Sequence, residues 1–417
     1  MVGIPQRIVI VGGSVAGART AQALRADGFD GELSVIEPQL GEAYDRPPLS
    51  KDYLTGEWSR ERLNLIPGGW HVLAVDVVNA QAVGLDARAK TLSLSNATDI
   101  DYDALVIATG LSPHPLLADD SHPVGHVIAT IEDADQLRER MQLGGHLVVV
   151  GGGYVAAEAA SVARSFGLRT SLVHRGPHLL DRALGPVVGA HVTQLHRDRG
   201  VELHLNATVE RIERADQGRA RVRLTDGTIL DADVLVAGIG ARPNTEWLDG
   251  SGVRVDDGVL TDARLRVMGA PAAYALGDVA RFYDVHSAKT RRVGHWTNAA
   301  DQASVVAHNL LHPDEPRGYR EAPYFWSDQF GQKIQVAGVP DSDAHVDLLT
   351  LPGATPRLAA VYSHGDDNDC GAVVTFAWPR GMVTARRVMA LEPTSAEIIA
   401  ELEGLASGVA VVGARTI

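Results

Sequence analysis

Cysteine is nearly absent from this chain: Cys370 is the only one in 417 residues. A single thiol excludes an intramolecular disulfide and any Cys-x-x-Cys redox pair, so an electron-transfer protein built on this chain has no dithiol to relay through. Long apolar runs are missing too. No stretch approaches bilayer length and the N-terminus leads directly into a strand, so neither a membrane span nor a signal peptide is expected, and cytoplasmic residence is. Positive charge is in deficit, with 38 Lys and Arg against 52 Asp and Glu and a net charge of −14. That balance argues against a nucleic-acid partner. No metal site is expected.

What is present is the composition of a globular protein, 45% hydrophobic and 22% charged, with length for two to three domains. The organising stretch runs from Arg7 to Glu37. Arg7-Ile-Val-Ile-Val11 has the β-branched composition of a buried parallel strand. The turn Gly12-Gly-Ser-Val-Ala-Gly17 comes next, then an alanine-rich helix and a second strand, Leu33-Ser-Val-Ile36, with Glu37 at its end. Such a turn lets the backbone of Gly12, Ser14, Val15, Ala16 and Gly17 approach a pyrophosphate at the helix N-terminus. A carboxylate at Glu37 then accepts ribose hydroxyls. Ser14 stands where the pattern has its middle glycine and is small enough to keep the approach open.

The design recurs. Gly145-His-Leu-Val-Val-Val150 leads into Gly151-Gly-Gly-Tyr-Val-Ala-Ala-Glu158, an alanine-rich helix, and the strand Thr170-Ser-Leu-Val173. Ala156 takes the third glycine place, and Gly151, Gly153, Tyr154 and Val155 form the turn. Two such units about 140 residues apart suggest two nucleotides bound face to face; the plainer alternative is that one is an unoccupied scaffold. Each unit is followed by a stretch that reads as a β-meander, Val72 to Asp103 and Val201 to Asp231, the second with an Asp226-Gly227 hairpin signal. Each meander gives way to a buried exit strand, the first ending in Ala108-Thr109-Gly110 and the second passing Gly240.

This repetition predicts an α/β fold. Two Rossmann-like nucleotide-binding domains, one inserted in the other, would occupy 1–112 with 242–320 and 113–241, followed by a strand-rich α+β domain over 321–417. A helix is expected over Glu132–Met141. Tyr274–Ala280 reads as strand, turn and helix start, with Asp278 suited either to a ribityl hydroxyl or to capping. Gly294 to Gln302 enters another helix, and Pro313 to Pro323 is a linker. The segment Tyr44-Asp-Arg-Pro-Pro-Leu-Ser-Lys51 is stiffened by two prolines; Ser50 could cap the next segment, and Lys51 would be delivered to a fixed place or simply to solvent.

Found together and in this order, seven features resemble the FAD-dependent ferredoxin reductases that serve cytochrome P450s and Rieske oxygenases. They are Gly12–Gly17 with Glu37, Arg46-Pro-Pro-Leu-Ser-Lys51, Ala108–Gly110, Gly151–Glu158, Gly277-Asp278, His295-Trp-Thr-Asn298 with Gln302, and Phe325-Trp-Ser-Asp-Gln329. The resemblance extends over roughly residues 7 to 340 and implies a glutathione-reductase-like flavoprotein architecture. FAD would lie in the first unit, against its turn and Glu37, Arg46, Lys51, Ala82, Ala108, Thr109, Gly110, Gly277, Asp278, His295 and Trp296. NADPH or NADH would lie in the second unit, against its turn and Glu158, His174, Arg175 and Gly240. Lys51, Glu158 and Trp296 are the implied catalytic residues, with Lys51 beside the isoalloxazine and paired with Glu158. The C-terminal domain would help cover the flavin and dock a ferredoxin of [2Fe-2S] or [3Fe-4S] type, in a monomer or homodimer.

Three positions depart from the family pattern. Ala129, ahead of Thr130, stands where the family has arginine, and Gly294 where it has glutamate. His174-Arg175 replace the glutamate that NADH-using members carry at the end of the second unit's second strand. Arg175, followed by Arg182, suits a 2′-phosphate and points to NADPH. The implied reaction is hydride transfer from NAD(P)H to FAD and delivery of electrons one at a time to a ferredoxin. The rival from another class is a redox-sensing interaction module with slow turnover. For a net-negative chain an acidic ferredoxin needs a local basic patch, for which Arg291, Arg292, Arg317, Arg320 and Lys333 are candidates.

Overall fold

The computed structural model describes residues 3–285, 288–351, 357–364, 369–405 and 410–414. Two compact units emerge, each assembled from separate stretches of chain. The first comprises Met1–Pro47, Ser59–Ser112 and Ala241–Glu321; the second comprises Pro48–Trp58, Pro113–Gly240 and Ala322–Ile417.

The first unit is built on the Arg7–Val11 strand, the centre of a five-stranded parallel sheet. Its order is Ala273–Ala275, Ala104–Ile107, Arg7–Val11, Glu32–Ile36, Asp76–Val78. Successive side chains of a strand face opposite ways, and this sequence makes both ways apolar. Ile8 and Ile10 pack against helices Val15–Ala26 and Trp296–Leu311, through residues such as Ala21, Leu24, Ala303 and Val306. Val9 and Val11 face Leu85, Leu92 and Leu94 of a three-stranded antiparallel meander. The unbroken β-branched run is therefore what a strand covered on both faces requires.

The second unit repeats the plan on a four-stranded parallel sheet ordered Glu202–Leu205, Arg169–His174, His146–Val150, Val234–Ala237. Leu147 and Val149 face the helical side, and Val148 and Val150 face a second meander. The C-terminal residues of this unit add a six-stranded antiparallel sheet from Tyr324 onward. Its Ala359, Val361 and Val373 carry the helices Pro379–Met389 and Ser395–Gly404. Its opposite face, with Val336, Val374 and Phe376, joins the core of the second nucleotide unit.

Four sequence expectations need adjustment. Both meanders begin later than expected, at Ala82 and Val209. The strands before them, Asp76–Val78 and Glu202–Leu205, instead pair in parallel as the outer strands of the two nucleotide-binding sheets. After the Gly277–Val279 turn the chain enters a strand, Ala280–Asp284, and not a helix. Its alternating burial puts Ala280, Phe282 and Asp284 inward, a period-two pattern no helix would satisfy. Ser50 does not cap: the residue before helix Asp52–Thr55 is Lys51, with no side-chain cap bond. The helix expected near residue 132 spans Ile131–Gln142, closed by a reciprocal box between Thr130 and Asp133.

Candidate functional site: two nucleotide turns and a buried ion pair

In the first unit Gly12 adopts a positive φ of 105° and lies so close to the exit strand that a methyl group there would overlap the carbonyl oxygen of Ala108. Only glycine meets both demands. The next helix starts at Val15 behind Ser14, which makes no side-chain cap. Its first-turn amides are therefore left for a ligand, as at other anion-binding helix starts. The Ser14 hydroxyl accepts from Arg46 Nε at 2.9 Å, and Arg46 also donates to Gln39 Oε1. The departure from the glycine fingerprint thus has a partner of its own.

Glu37 is pinned rather than free. Its Oε2 accepts from the Gly13 amide at 2.7 Å and its Oε1 from the Gln39 amide at 2.9 Å. Each oxygen keeps a further lone pair for a hydroxyl. Gly13, Ser14, Glu37, Gln39, Tyr44 and Arg46 line one concave surface. Ala82, expected among the FAD contacts, is not part of that lining, and its methyl is buried in the meander core. Ala108 is buried at the exit, and Thr109 and Asn244 tie their segments together with two 2.8 Å hydrogen bonds, Gly110 lying just beyond.

Gly277 donates its amide to the buried Gln302 Oε1 at 2.8 Å and packs beside Ala16, the second residue of the first helix. Asp278 is next in the chain, walled in enough that desolvation pushes its carboxyl up to about 6, against the pull of Arg292 and Arg46. Among the described residues its oxygens accept no hydrogen bond. A desolvated carboxylate without a donor, next to a helix start, fits a hydroxylated ligand. Gly294 lies next to this carboxylate, its position for a side chain 3.7 Å from Asp278 Cγ. His295 precedes helix Trp296–Leu311, and burial lowers its imidazole to about 4, so it is neutral at pH 7. The Trp296 ring lies under the Arg19 guanidinium.

In the second unit Gly151 repeats the role of Gly12: φ is 134°, and a methyl would overlap the carbonyl oxygen of Gly238. Gly153 precedes helix Tyr154–Ser165 with open space around it and no side-chain cap, and Val155 is exposed on the first turn. Tyr154 packs edge-on against Phe325 at 5.0 Å, its hydroxyl buried without a hydrogen-bond partner among the described residues. His174 fills the space a side chain on Gly152 would need, and meets Asp181 Oδ1 through Nε2 at 3.4 Å. Arg175 and Arg182 are exposed, as is Gly240 beyond the exit strand Val234–Ala237. Nothing in the sequence marks Asp181 as more than a helix-start carboxylate.

Lys51 and Glu158, 107 residues apart, meet at 2.8 Å with side chains 9% and 3% exposed. Glu158 also accepts from Ser50 at 2.5 Å and from Ser327 at 2.6 Å. Ser50 and Ser327 lay inside motifs that the sequence singled out, but nothing local assigns their hydroxyls to this carboxylate. Desolvating two charges is costly, and further hydrogen bonds are what make such a pair tolerable.

The expected basic patch is largely neutralised. Arg291 pairs with the buried Asp284 at 3.3 Å, Arg292 with Asp257 at 3.1 Å, and Lys333 with Asp328 at 2.9 Å. A buried carboxylate such as Asp284 demands a cation, which makes Arg291 structural. Arg317 and Arg320 remain exposed.

Asp278 gives a test in pH. Its folded carboxyl titrates near 6, whereas an unfolded aspartate titrates near 3.9. Between those values the folded chain binds more protons, so this group's contribution to stability falls as pH rises, and the penalty is fully present above pH 6. In flavin-free protein, Asp278→Asn is expected to be more stable at pH 8 by roughly 1–3 kcal/mol and no more stable near pH 4. Urea unfolding midpoints across that range check this; parallel profiles for parent and variant would refute it.

Comparison with known proteins gives the family. The model of the pyridine nucleotide–disulphide oxidoreductase family matches residues 6–303, and that of the reductase C-terminal domain matches 324–401. The chain is 33% identical to the ferredoxin–NAD(+) reductase component of the anthranilate 1,2-dioxygenase system of Burkholderia cepacia, over 92% of this chain and 93% of that protein. It is 32% identical to putidaredoxin reductase of Pseudomonas putida, over 86% of each. Among solved structures, the ferredoxin reductase for the CYP199A2 system of Rhodopseudomonas palustris superposes with a TM-score of 0.89 at 28% identity, over 96% of this chain and all of that one. The chain therefore belongs to the pyridine nucleotide–disulphide oxidoreductase family, as an FAD-binding, NAD(P)H-using oxidoreductase with the reductase C-terminal domain.

Proposed function

We propose that this protein takes hydride from NAD(P)H and delivers electrons one at a time to an iron–sulfur ferredoxin serving a P450 or Rieske oxygenase. The observation that carries this reading is a pairing within one chain: two built dinucleotide turns and a single cysteine, half-buried and with its thiol pushed up to about 11. Such a thiol is unreactive, so electrons leave without a dithiol.

FAD, when bound, accepts a hydride and releases electrons singly. The chain's own residues bind and orient. The Gly12–Gly17 turn and helix start take the pyrophosphate, Glu37 the adenosine ribose, and Asp278 a ribityl hydroxyl. The Gly151–Val155 turn takes the coenzyme diphosphate in the same way. Lys51 supplies a cation favouring the negatively charged reduced flavin, and Glu158 holds that ammonium in place. His295 is neutral at working pH and adds no charge. We further assign a [2Fe-2S] or [3Fe-4S] type to the ferredoxin, with docking around the exposed Arg317 in preference to the paired Arg291 and Arg292.

Purified protein is expected to carry about one FAD per chain. Because Glu37 also holds the turn amides of Gly13 and Gln39, Glu37→Ala should lose roughly 1–3 kcal/mol of FAD affinity. Full retention of flavin by the variant would remove Glu37 from the site.

For the coenzyme we propose a preference for NADPH. Asp181 already accepts from His174 and from the Arg182 amide, leaving two exposed guanidiniums, Arg175 and Arg182, as the charged groups for a 2′-phosphate. Arg175→Ala should lower the NADPH:NADH ratio of kcat/KM by roughly ten- to a hundredfold, as the loss of one charged hydrogen bond implies. An unchanged ratio, or a parent selective for NADH, would contradict this assignment.

A further inference from the structure

The carboxylate of Glu158 is the end of a longer chain of buried hydrogen bonds. Ser327 donates to Glu158 Oε1 at 2.6 Å, Gln329 Nε2 donates to Ser327 Oγ at 3.0 Å, and Gln329 Oε1 meets His196 Nε2 at 3.0 Å. Glu158, Ser327, Gln329 and His196 are all buried. They come from three elements of the second unit: helix Tyr154–Ser165, strand Tyr324–Gln329 and helix Asp181–Asp198. Ser327 and Gln329 share one face of their strand, two residues apart.

The chain has one direction. A serine hydroxyl has a single proton; Ser327 gives it to Glu158 and must accept from Gln329. That orients the amide with Nε2 toward Ser327 and Oε1 toward His196. His196 must then be a donor at Nε2, and its Nδ1, buried without a partner among the described residues, is the bare nitrogen. Burial holds the ring neutral, its imidazole lowered to about 4, so the single-proton form is the one present. Phe330 closes over the ring edge-on at 4.8 Å.

We propose that Ser327, Gln329 and His196 are positioning residues: a one-way relay fixes the Glu158 carboxylate, and through it the Lys51 ammonium, for hydride transfer. This rests on the role given above to Lys51 and Glu158. With Ser50 and Lys51 both on Oε2, Ser327 is the donor found on Oε1. Without it that oxygen becomes a buried acceptor lacking its partner, and the terminal torsion of the carboxylate, intrinsically soft, is no longer held. The C-terminal sheet thereby contributes to the site from within the second unit.

Two experiments test this. The first reads the His196 tautomer by ¹⁵N–¹H NMR of histidine-labelled parent protein, flavin-free and loaded. The relay requires the proton on Nε2; a proton on Nδ1 reverses the amide and overturns it. The second compares flavin reduction in Ser327→Ala, Ser327→Thr and Glu158→Gln at saturating coenzyme. Ser327→Ala is expected to retain FAD and slow reduction by about tenfold or more, with the coenzyme KM moved less than about threefold and the threonine variant recovering to within about threefold of the parent. A parental rate in Ser327→Ala beside a slow Glu158→Gln would overturn the relay and leave the role of Glu158 standing. A parental rate in Glu158→Gln would sink the role of the ion pair, and the relay with it.

Discussion

Two backbone contacts set the geometry on which everything else depends. At Gly12 and again at Gly151 the turn after a central strand presses against the carbonyl of the neighbouring exit strand, closer than any side chain would permit. Each turn can take that position because the exit strand ends in small residues, Ala108 with Gly110 in one case and Ala237 with Gly238 in the other. The contact aims a helix start outward and places the next strand's end beside it, with Glu37 in the first unit and His174 in the second. Steric exclusion leaves no room for a side chain at either turn.

Over this frame the chain lays polar groups whose cost a ligand would offset. Asp278 is a desolvated carboxylate with no donor among the described residues. Lys51 and Glu158 are a desolvated pair that the structure supports with Ser50 and Ser327. A buried pair is poor evidence for stability, since apolar replacements of similar volume often do as well. Its place at the first turns of helix Tyr154–Ser165 is what the proposed role in hydride transfer rests on. Cys370, desolvated and bonded weakly to a backbone carbonyl, offers no competing route for electrons.

Much of this was legible in the sequence because it is encoded by short-range pattern. Arg7–Val11 and His146–Val150 announce strands covered on both faces, and the glycines after them announce the turns. What could not be read depends on contacts between distant segments. Ser14 and Arg46 find each other across 32 residues and Ser327 reaches Glu158 across 169; neither spacing carries a local signal. Tyr274–Ala280 reads as strand, turn and helix start because Gly-Asp is a common cap, yet the inward set of Ala280, Phe282 and Asp284 decides for a strand over Ala280–Asp284. Arg291 looked like a surface cation because sequence does not reveal that Asp284 is buried opposite it.

The central claim is that the flavin passes electrons directly to a one-electron protein acceptor. The most direct measurement is an anaerobic titration of NAD(P)H-reduced protein with an oxidised ferredoxin, in the parent and in Cys370→Ala. The account predicts about two ferredoxins reduced for each coenzyme consumed, since a hydride carries two electrons, and equal rates in both proteins. A flavin that is reduced yet leaves ferredoxin oxidised, or a transfer that fails without Cys370, would contradict it.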